Sequence, residues 1–165
     1  MVKKKIKKVI VIGSNSFSAG SLIHALLKKK FYIIGISRSK INKEKFQRFD
    51  YRKNNFKFYN LDLNKHNDKI VEIIKKFKPS YIINYASQSM VGQSWQNPED
   101  WFLTNSFSII KLYSRISLLK FKTKLIHIST PEIYGNIENK VKENNNYNPT
   151  TPYAVSRVTA DQYLK

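Results

Sequence analysis

The 165-residue chain contains no cysteine, which excludes disulfide cross-links and fits a reducing compartment. Long hydrophobic runs are missing too. The apolar burst Val9–Ile12 is too short for the core of a signal peptide, and no segment approaches the roughly 20 apolar residues of a membrane span. The expectation is a cytoplasmic chain with no membrane partner. Acidic residues are scarce: 11 Asp and Glu stand against 30 Lys and Arg, a formal net charge of +19. Such an excess suits nucleic-acid binding, in which Lys and Arg neutralise phosphates and release counterions. The lysines are nevertheless scattered among Ile and Asn over the whole chain. Only Lys3–Lys8 and Lys28–Lys30 form short runs, with no aromatic platform interleaved. We therefore expect no nucleic-acid partner, but a surface favourable to small anionic ligands. His24, His66 and His127 show no ligand spacing, and no metal site is expected.

What is present alternates strand with helix. Val9–Ile12 reads as a first strand, followed by a helix from about Phe17 to Lys30 on which Leu22, Ile23, Leu26 and Leu27 mark one face. Further strands are expected at Tyr32–Ile36, Phe56–Asn60, Tyr81–Asn84 and Lys124–Ser129. A helix from Lys65 to Phe77 carries Ile70, Ile73, Ile74 and Phe77 at helical spacing. A long helix runs from about Glu99 to Leu119, and a last one starts at Pro152. Strands this apolar are usually covered on both faces, so the expected fold class is α/β, a doubly wound parallel sheet between layers of helix. One domain is the default at this length. No repeat or long linker interrupts the order, and Lys140–Asn148 (KVKENNNYN) reads as a loop.

In such sheets ligands bind at the carboxyl ends of the strands. The first crossing at that edge, Gly13–Gly20 (GSNSFSAG), has almost no side chain in it. A dinucleotide's diphosphate needs this, because small residues let backbone N–H groups approach a charge that the helix N-terminus favours. Gly13, Ser16 and Ala19 hold the three positions of a GxxGxxG pattern, with two glycines replaced by the next smallest residues. An ordinary tight turn capped by a serine explains the same letters. The second strand runs into Ser37-Arg38-Ser39. An acidic residue there would bind ribose hydroxyls, whereas a cation with hydroxyls suits a 2′-phosphate, favouring NADP over NAD. Asp62 is placed either to accept from an adenine amino group or to cap a helix beside Asn64.

Taken in order, GSNSFSAG, NYASQSMVGQSW (Asn84–Trp95), STPEIYG (Ser129–Gly135) and PYAVSR (Pro152–Arg157) resemble the extended short-chain dehydrogenase/reductase family. Within it the chain is most similar to the nucleotide-sugar 4,6-dehydratases of the GDP-mannose and dTDP-glucose types. The resemblance covers nearly all 165 residues but corresponds to the first half of such an enzyme. It implies a Rossmann-type NAD(P)-binding domain over residues 1–165, without the family's later strands and its C-terminal substrate domain. The implied activity is that of a lyase: oxidation of a nucleotide sugar at C4 with bound NAD(P), elimination of water across C5 and C6, and return of hydride to C6. Epimerases and decarboxylases of the same family, or a non-catalytic NAD(P)-binding fragment, are the alternatives.

The resemblance also implies residue roles. The expected cofactor contacts are Gly13, Ser16, Phe17, Ser18 and Ala19 in the first turn, Ser37, Arg38, Asp62 and Leu63 after the second and third strands, and Tyr85, Ala86 and Ser87 after the fourth. Asn105, Ser129, Tyr153 and Arg157 complete them. Gln88, Ser89 and Thr130 would meet the sugar, Gln88 being closer to the GDP-mannose type. Tyr153 would take the C4 hydroxyl proton, and a phenol with an ordinary pKa near 10 needs a neighbouring cation to do so at neutral pH. The family places a lysine four residues on. Here that position is Arg157, which keeps the charge but has a bulkier planar fork and cannot lose a proton. Thr130 matches a threonine that hydrogen-bonds the C4 oxygen, and Glu132 a glutamate that removes the C5 proton. Pro131 stands where many dehydratases keep an aspartate that protonates the leaving hydroxyl, so that proton must come from Glu132 or water, or the reaction differs. The expected partners are a nucleotide-sugar substrate and, in the full-length form, a second copy; Phe102, Phe107, Ile110 and Tyr113 face either that copy or, as their spacing explains equally well, their own sheet.

Overall fold

β-Branched and aromatic residues recur in the segments that become strands, where such side chains pack well on a pleated surface. In a computed structural model, which describes residues 7–41 and 50–165, they form β1 (Lys8–Ile12), β2 (Tyr32–Ser37), β3 (Phe56–Asn60), β4 (Tyr81–Asn84) and β5 (Lys124–His127). Residues 3–6 of the first lysine run lie outside the described residues. All neighbouring strands pair in parallel in the order β3-β2-β1-β4-β5, the doubly wound arrangement expected. The winding reverses between β1 and β4, whose registers end together at Ile12 and Asn84. Such a switch point is where open α/β sheets bind ligands.

Contacts divide the chain into two compact units: Met1–Ala86 with Arg115–Ile128, and Ser87–Ser114 with Ser129–Lys165. The first contains the sheet, with α1 (Phe17–Lys28) and α2 (Asn67–Phe77). Its core joins Val9 and Val11 of β1 to Ala19, Ile23 and Leu27 of α1, together with Ile33, Phe56 and Ile83. Fully burying a side chain such as Ile23 is worth about 1.5–3 kcal/mol. α2 buries Ile70, Val71 and Ile74 and stops at Lys78, in the left-handed conformation ahead of Pro79.

The second unit holds most of a helical run, as far as Ser114, whose interior departs from the sequence expectation. Instead of one regular helix from Glu99 to Leu119, α3 (Pro98–Trp101) passes into a π-helical stretch over Phe102–Ser108 and then into α4 (Ile109–Ser117). A π-turn holds an extra residue, and here the widened stretch buries the polar residues Thr104, Asn105, Ser106 and Ser108. The unit closes with α5 (Pro152–Tyr163), started by Thr151, whose hydroxyl accepts from Ala154 N, and by Pro152 in the first turn. β5 stops at His127, two residues earlier than expected. The loop over Lys140–Asn148 has no regular element, and Asn148 N donates to Ile133 O at 2.9 Å. No helix among the described residues is long and apolar enough to cross a membrane.

Candidate active site

In the first unit the turn after β1 is dictated by backbone shape. Gly13 has φ of 76°, in the left-handed region, and a Cβ there would lie 2.5 Å from Ala86 N and 2.6 Å from Tyr85 C. Glycine alone fits. Gly13 N and Ser14 N both donate to Ile36 O, at 2.8 and 3.1 Å, tying the turn to β2. Ser14 is buried, and its hydroxyl has no hydrogen-bond partner. It stands 2.9 Å from where a Cβ of Gly35 would sit, so β2 passes here only without a side chain. Ser16 caps α1, its hydroxyl accepting from Ala19 N at 3.3 Å. Phe17 is exposed, and Ala19 is packed in the core. The result is a tight bend leading into a helix N-terminus, an arrangement that stabilises an anion through orphan N–H groups and the helix dipole.

Around this turn lie the other residues expected at the adenosine end. Asp62 Oδ1 accepts from Asn64 N at 2.7 Å, while Asp62 N donates to His66 Nδ1 at 3.0 Å; the carboxylate closes a turn and does not cap α2, whose N-cap His66 makes no side-chain cap bond. Leu63 is buried. The Ser37–Lys40 segment is held by two side chains that sequence reasoning missed. Asn60 Nδ2 donates to Ser37 O at 3.1 Å and Arg38 O at 2.8 Å. Asn15 Nδ2 donates to Ser39 O at 2.8 Å, Lys40 O at 3.1 Å and Ser39 Oγ at 3.2 Å.

In the second unit side-chain hydrogen bonds do the positioning. Asn105 is fully buried: its Oδ1 accepts from Gln88 N at 2.8 Å, and its Nδ2 donates to Gln88 O and to Ser156 Oγ, each at 3.0 Å. Ser156 Oγ donates to Tyr153 O at 2.7 Å, and Ser106 Oγ donates to Ser156 O at 2.8 Å. Ser94 Oγ donates to Val91 O and accepts from Tyr153 N at 3.1 Å. Gln88, Tyr153 and the first turn of α5 are thus fixed by three residues, Asn105, Ser156 and Ser94. Of these the sequence flagged Asn105 alone. Ser87 and Ser89 flank Gln88, Ser89 being exposed.

Tyr153 and Arg157, one helical turn apart, are both buried. Burial pushes the Arg157 guanidinium below its ordinary value, opposed by the charges of Tyr153, Asp161 and Tyr113. Asp161, a further turn along α5, also accepts from Ser129 Oγ; it too was missed by sequence reasoning. Thr130 Oγ1 accepts from Glu132 N at 3.3 Å and so starts the short 3-10 turn Pro131–Tyr134. Ser129, Thr130, Pro131, Tyr134, Tyr147 and Asp161 line a groove of about 690 Å³. Glu132, Tyr153 and Arg157 are not part of that lining. Of the residues expected to face a second copy, Phe102 and Phe107 are exposed, Ile110 is half-buried, and Tyr113 is buried.

Residues 10–165 match the family model described as GDP-mannose 4,6 dehydratase. A GDP-mannose 4,6-dehydratase from Yersinia enterocolitica is 26% identical over 163 residues, 94% of this chain and 44% of its own length. One from Vibrio cholerae is 30% identical over 165 residues, 93% of this chain and 44% of its own. The chain spans about half the length of the curated relatives it matches. The crystal structure of a UDP-glucose 4-epimerase from Brucella ovis in complex with NAD shares the fold, with a TM-score of 0.82 at 20% identity over 96% of this chain and 46% of that one.

Proposed function

Because the chain belongs to the GDP-mannose 4,6 dehydratase family of nucleotide-sugar dehydratases and epimerases, we propose that it carries the NAD(P)-binding half of a nucleotide-sugar 4,6-dehydratase. The first unit fits such a cofactor: a glycine bend that no Cβ could occupy opens onto a helix N-terminus, as a diphosphate requires. Gly13, Ser16, Phe17, Ser18 and Ala19 would hold the diphosphate, and Ser37 with Arg38 the adenosine ribose, in its 2′-phosphorylated form. When bound, the nicotinamide ring supplies hydride acceptance at sugar C4 and hydride return at C6.

The remaining work falls to the second unit. Tyr153 takes the proton of the C4 hydroxyl, with Arg157 one helical turn further along α5. The observation that carries this reading is the buried Tyr153–Arg157 pair, held one turn apart on a helix whose first turn is pinned by Ser94 and Ser156. Thr130 spends a lone pair on Glu132 N and keeps its O–H to donate to the C4 oxygen. Glu132 removes the C5 proton. Pro131 has no proton to give, so the leaving hydroxyl takes one from Glu132 or from water.

The test is to titrate the purified chain with NADP and NAD by calorimetry, then add GDP-mannose or dTDP-glucose and assay for the 4-keto-6-deoxy sugar. Binding with product formation supports the proposal. Binding without product, in wild type and in Arg157→Lys alike, favours the second reading, a cofactor-binding chain without catalysis. That reading draws on the arginine at position 157, where the resemblance leads one to expect a lysine. No binding of either dinucleotide defeats both.

A further inference from the structure

We infer that Asn15 and Asn60 form a clamp that sets cofactor selectivity, holding Ser37–Lys40 so that this segment distinguishes a 2′-phosphorylated ribose from a plain one. This rests on the cofactor reading above but concerns residues to which that reading gives no role. The observation is that four consecutive carbonyls, those of Ser37, Arg38, Ser39 and Lys40, each accept a side-chain amide N–H from one of these two asparagines.

Regular sheet bonding reaches only the first of them, Ser37 O, which also accepts from Leu61 N at 3.0 Å. β2 pairs with β1 as far as Ile36 and with β3 as far as Ser37, and beyond that the chain bends away with no ladder partner. A bend of this kind usually leaves its carbonyls to water and its backbone soft. Here one asparagine reaches in from the turn after β1 and the other from the end of β3, so the segment is fixed from both sides. With the carbonyls committed to protein donors, the Arg38, Ser39 and Lys40 side chains are exposed, and Ser37–Ile41 contains no acidic residue. A phosphomonoester meets a guanidinium best in a fixed, bidentate geometry. Holding the segment in advance removes part of the ordering cost of binding.

The residue type matters as well. Asparagine offers two N–H donors where aspartate offers none. A carboxylate at either position would face carbonyl oxygens and would also offset the charge of Arg38 and Lys40, penalising a phosphate twice. NADP and NAD differ only in the 2′-phosphate, so the ratio of their dissociation constants isolates the effect from the general stability of the fold.

The experiment measures that ratio by calorimetry for the full 165-residue chain, Asn60→Ala, Asn60→Asp, Arg38→Ala and the double variant Arg38→Ala/Asn60→Ala. The wild type is expected to prefer NADP. Loss of two amide hydrogen bonds in Asn60→Ala should weaken NADP about tenfold and NAD less than about twofold, and Asn60→Asp should weaken NADP further. In the Arg38→Ala background the added effect of Asn60→Ala on the ratio should vanish, because the clamp acts through Arg38. If Asn60→Ala unfolds below the working temperature, Asn15→Ala carries the same expectation. Equal losses for both dinucleotides, a wild type without NADP preference, or an effect that persists without Arg38 would overturn the clamp while leaving the cofactor reading intact. A wild type that binds neither dinucleotide overturns that reading, and the clamp with it.

Discussion

The two units bury different chemistry. The first is built on Ile and Val: Val9, Ile10, Val11, Ile33 and Ile36 are almost inaccessible, and the turn that matters is shaped by where a Cβ cannot go. The second contains seven of the ten buried polar residues among those described, namely Ser94, Thr104, Asn105, Ser106, Ser108, Ser156 and Arg157. An apolar core tolerates the loss of a polar atom and resists changes of volume. A buried polar network does the reverse, since each deleted atom strands a partner without water. The expected cofactor turn of the first unit is therefore preorganised by shape and the expected catalytic residues of the second by hydrogen bonds, and substitutions should fail differently in each.

Shape should produce the largest effect. Gly13→Ala adds left-handed strain and forces Ala86 and Tyr85 backbone atoms apart, together about 3–5 kcal/mol. Urea unfolding should show this loss, and calorimetry no binding of either dinucleotide. A variant of wild-type stability that still binds would remove the close-approach argument for this turn.

Next comes the polar interior. Asn105→Ala removes the hydrogen bonds to Gln88 N, Gln88 O and Ser156 Oγ in the second unit, at a cost of about 2–4 kcal/mol. Asn105→Asp keeps an acceptor for Gln88 N but sets a carboxylate against Gln88 O, so it should rescue little. Chemical denaturation of both variants checks the comparison: recovery of full stability in Asn105→Asp would mean that shape, not donor chemistry, holds Gln88.

The same contrast explains what the sequence made legible. The strand order, the parallel sheet and the Gly13 turn follow from local composition, because β-branched runs and a missing side chain act within a few residues. The positioning of Tyr153 does not. Ser94 lies 59 residues from Tyr153 and Asn105 lies 51 from Ser156, and a serine in GQSW carries no periodic signal. The π-helical stretch escaped for a related reason: apolar spacing averages over a long helix and hides one wide turn. The buried polar run Thr104-Asn105-Ser106 inside that helix was the available sign. Asn15 and Asn60 read as ordinary turn residues because only the fold brings them to Ser37–Lys40.

Arg157 separates stability from chemistry within the second unit. Its burial is the largest influence on the guanidinium and opposes the charged form, so replacing it with an apolar side chain of similar length relieves a desolvation cost. Asp161, the nearby anion, is only half-buried and keeps the Ser129 hydroxyl. Arg157→Met should thus leave thermal stability unchanged or raise it by up to about 2 kcal/mol, while any dehydratase turnover is lost. A melting temperature well below wild type would show that Arg157 is a structural keystone.

The smallest effects give the sharpest test, because the two substitutions are chemically identical. Ser14 and Ser94 are both buried serines, 2% and 0% exposed. Ser14→Ala removes a hydroxyl that has no hydrogen-bond partner, so stability should stay within about 0.5 kcal/mol of wild type or rise. Ser94→Ala removes the acceptor for Tyr153 N at the start of α5 and the donor to Val91 O, and should cost about 1–2 kcal/mol. Paired urea titrations decide it. Equal costs at the two positions would mean that the division between a shape-built and a hydrogen-bond-built unit does not describe how this chain is held together.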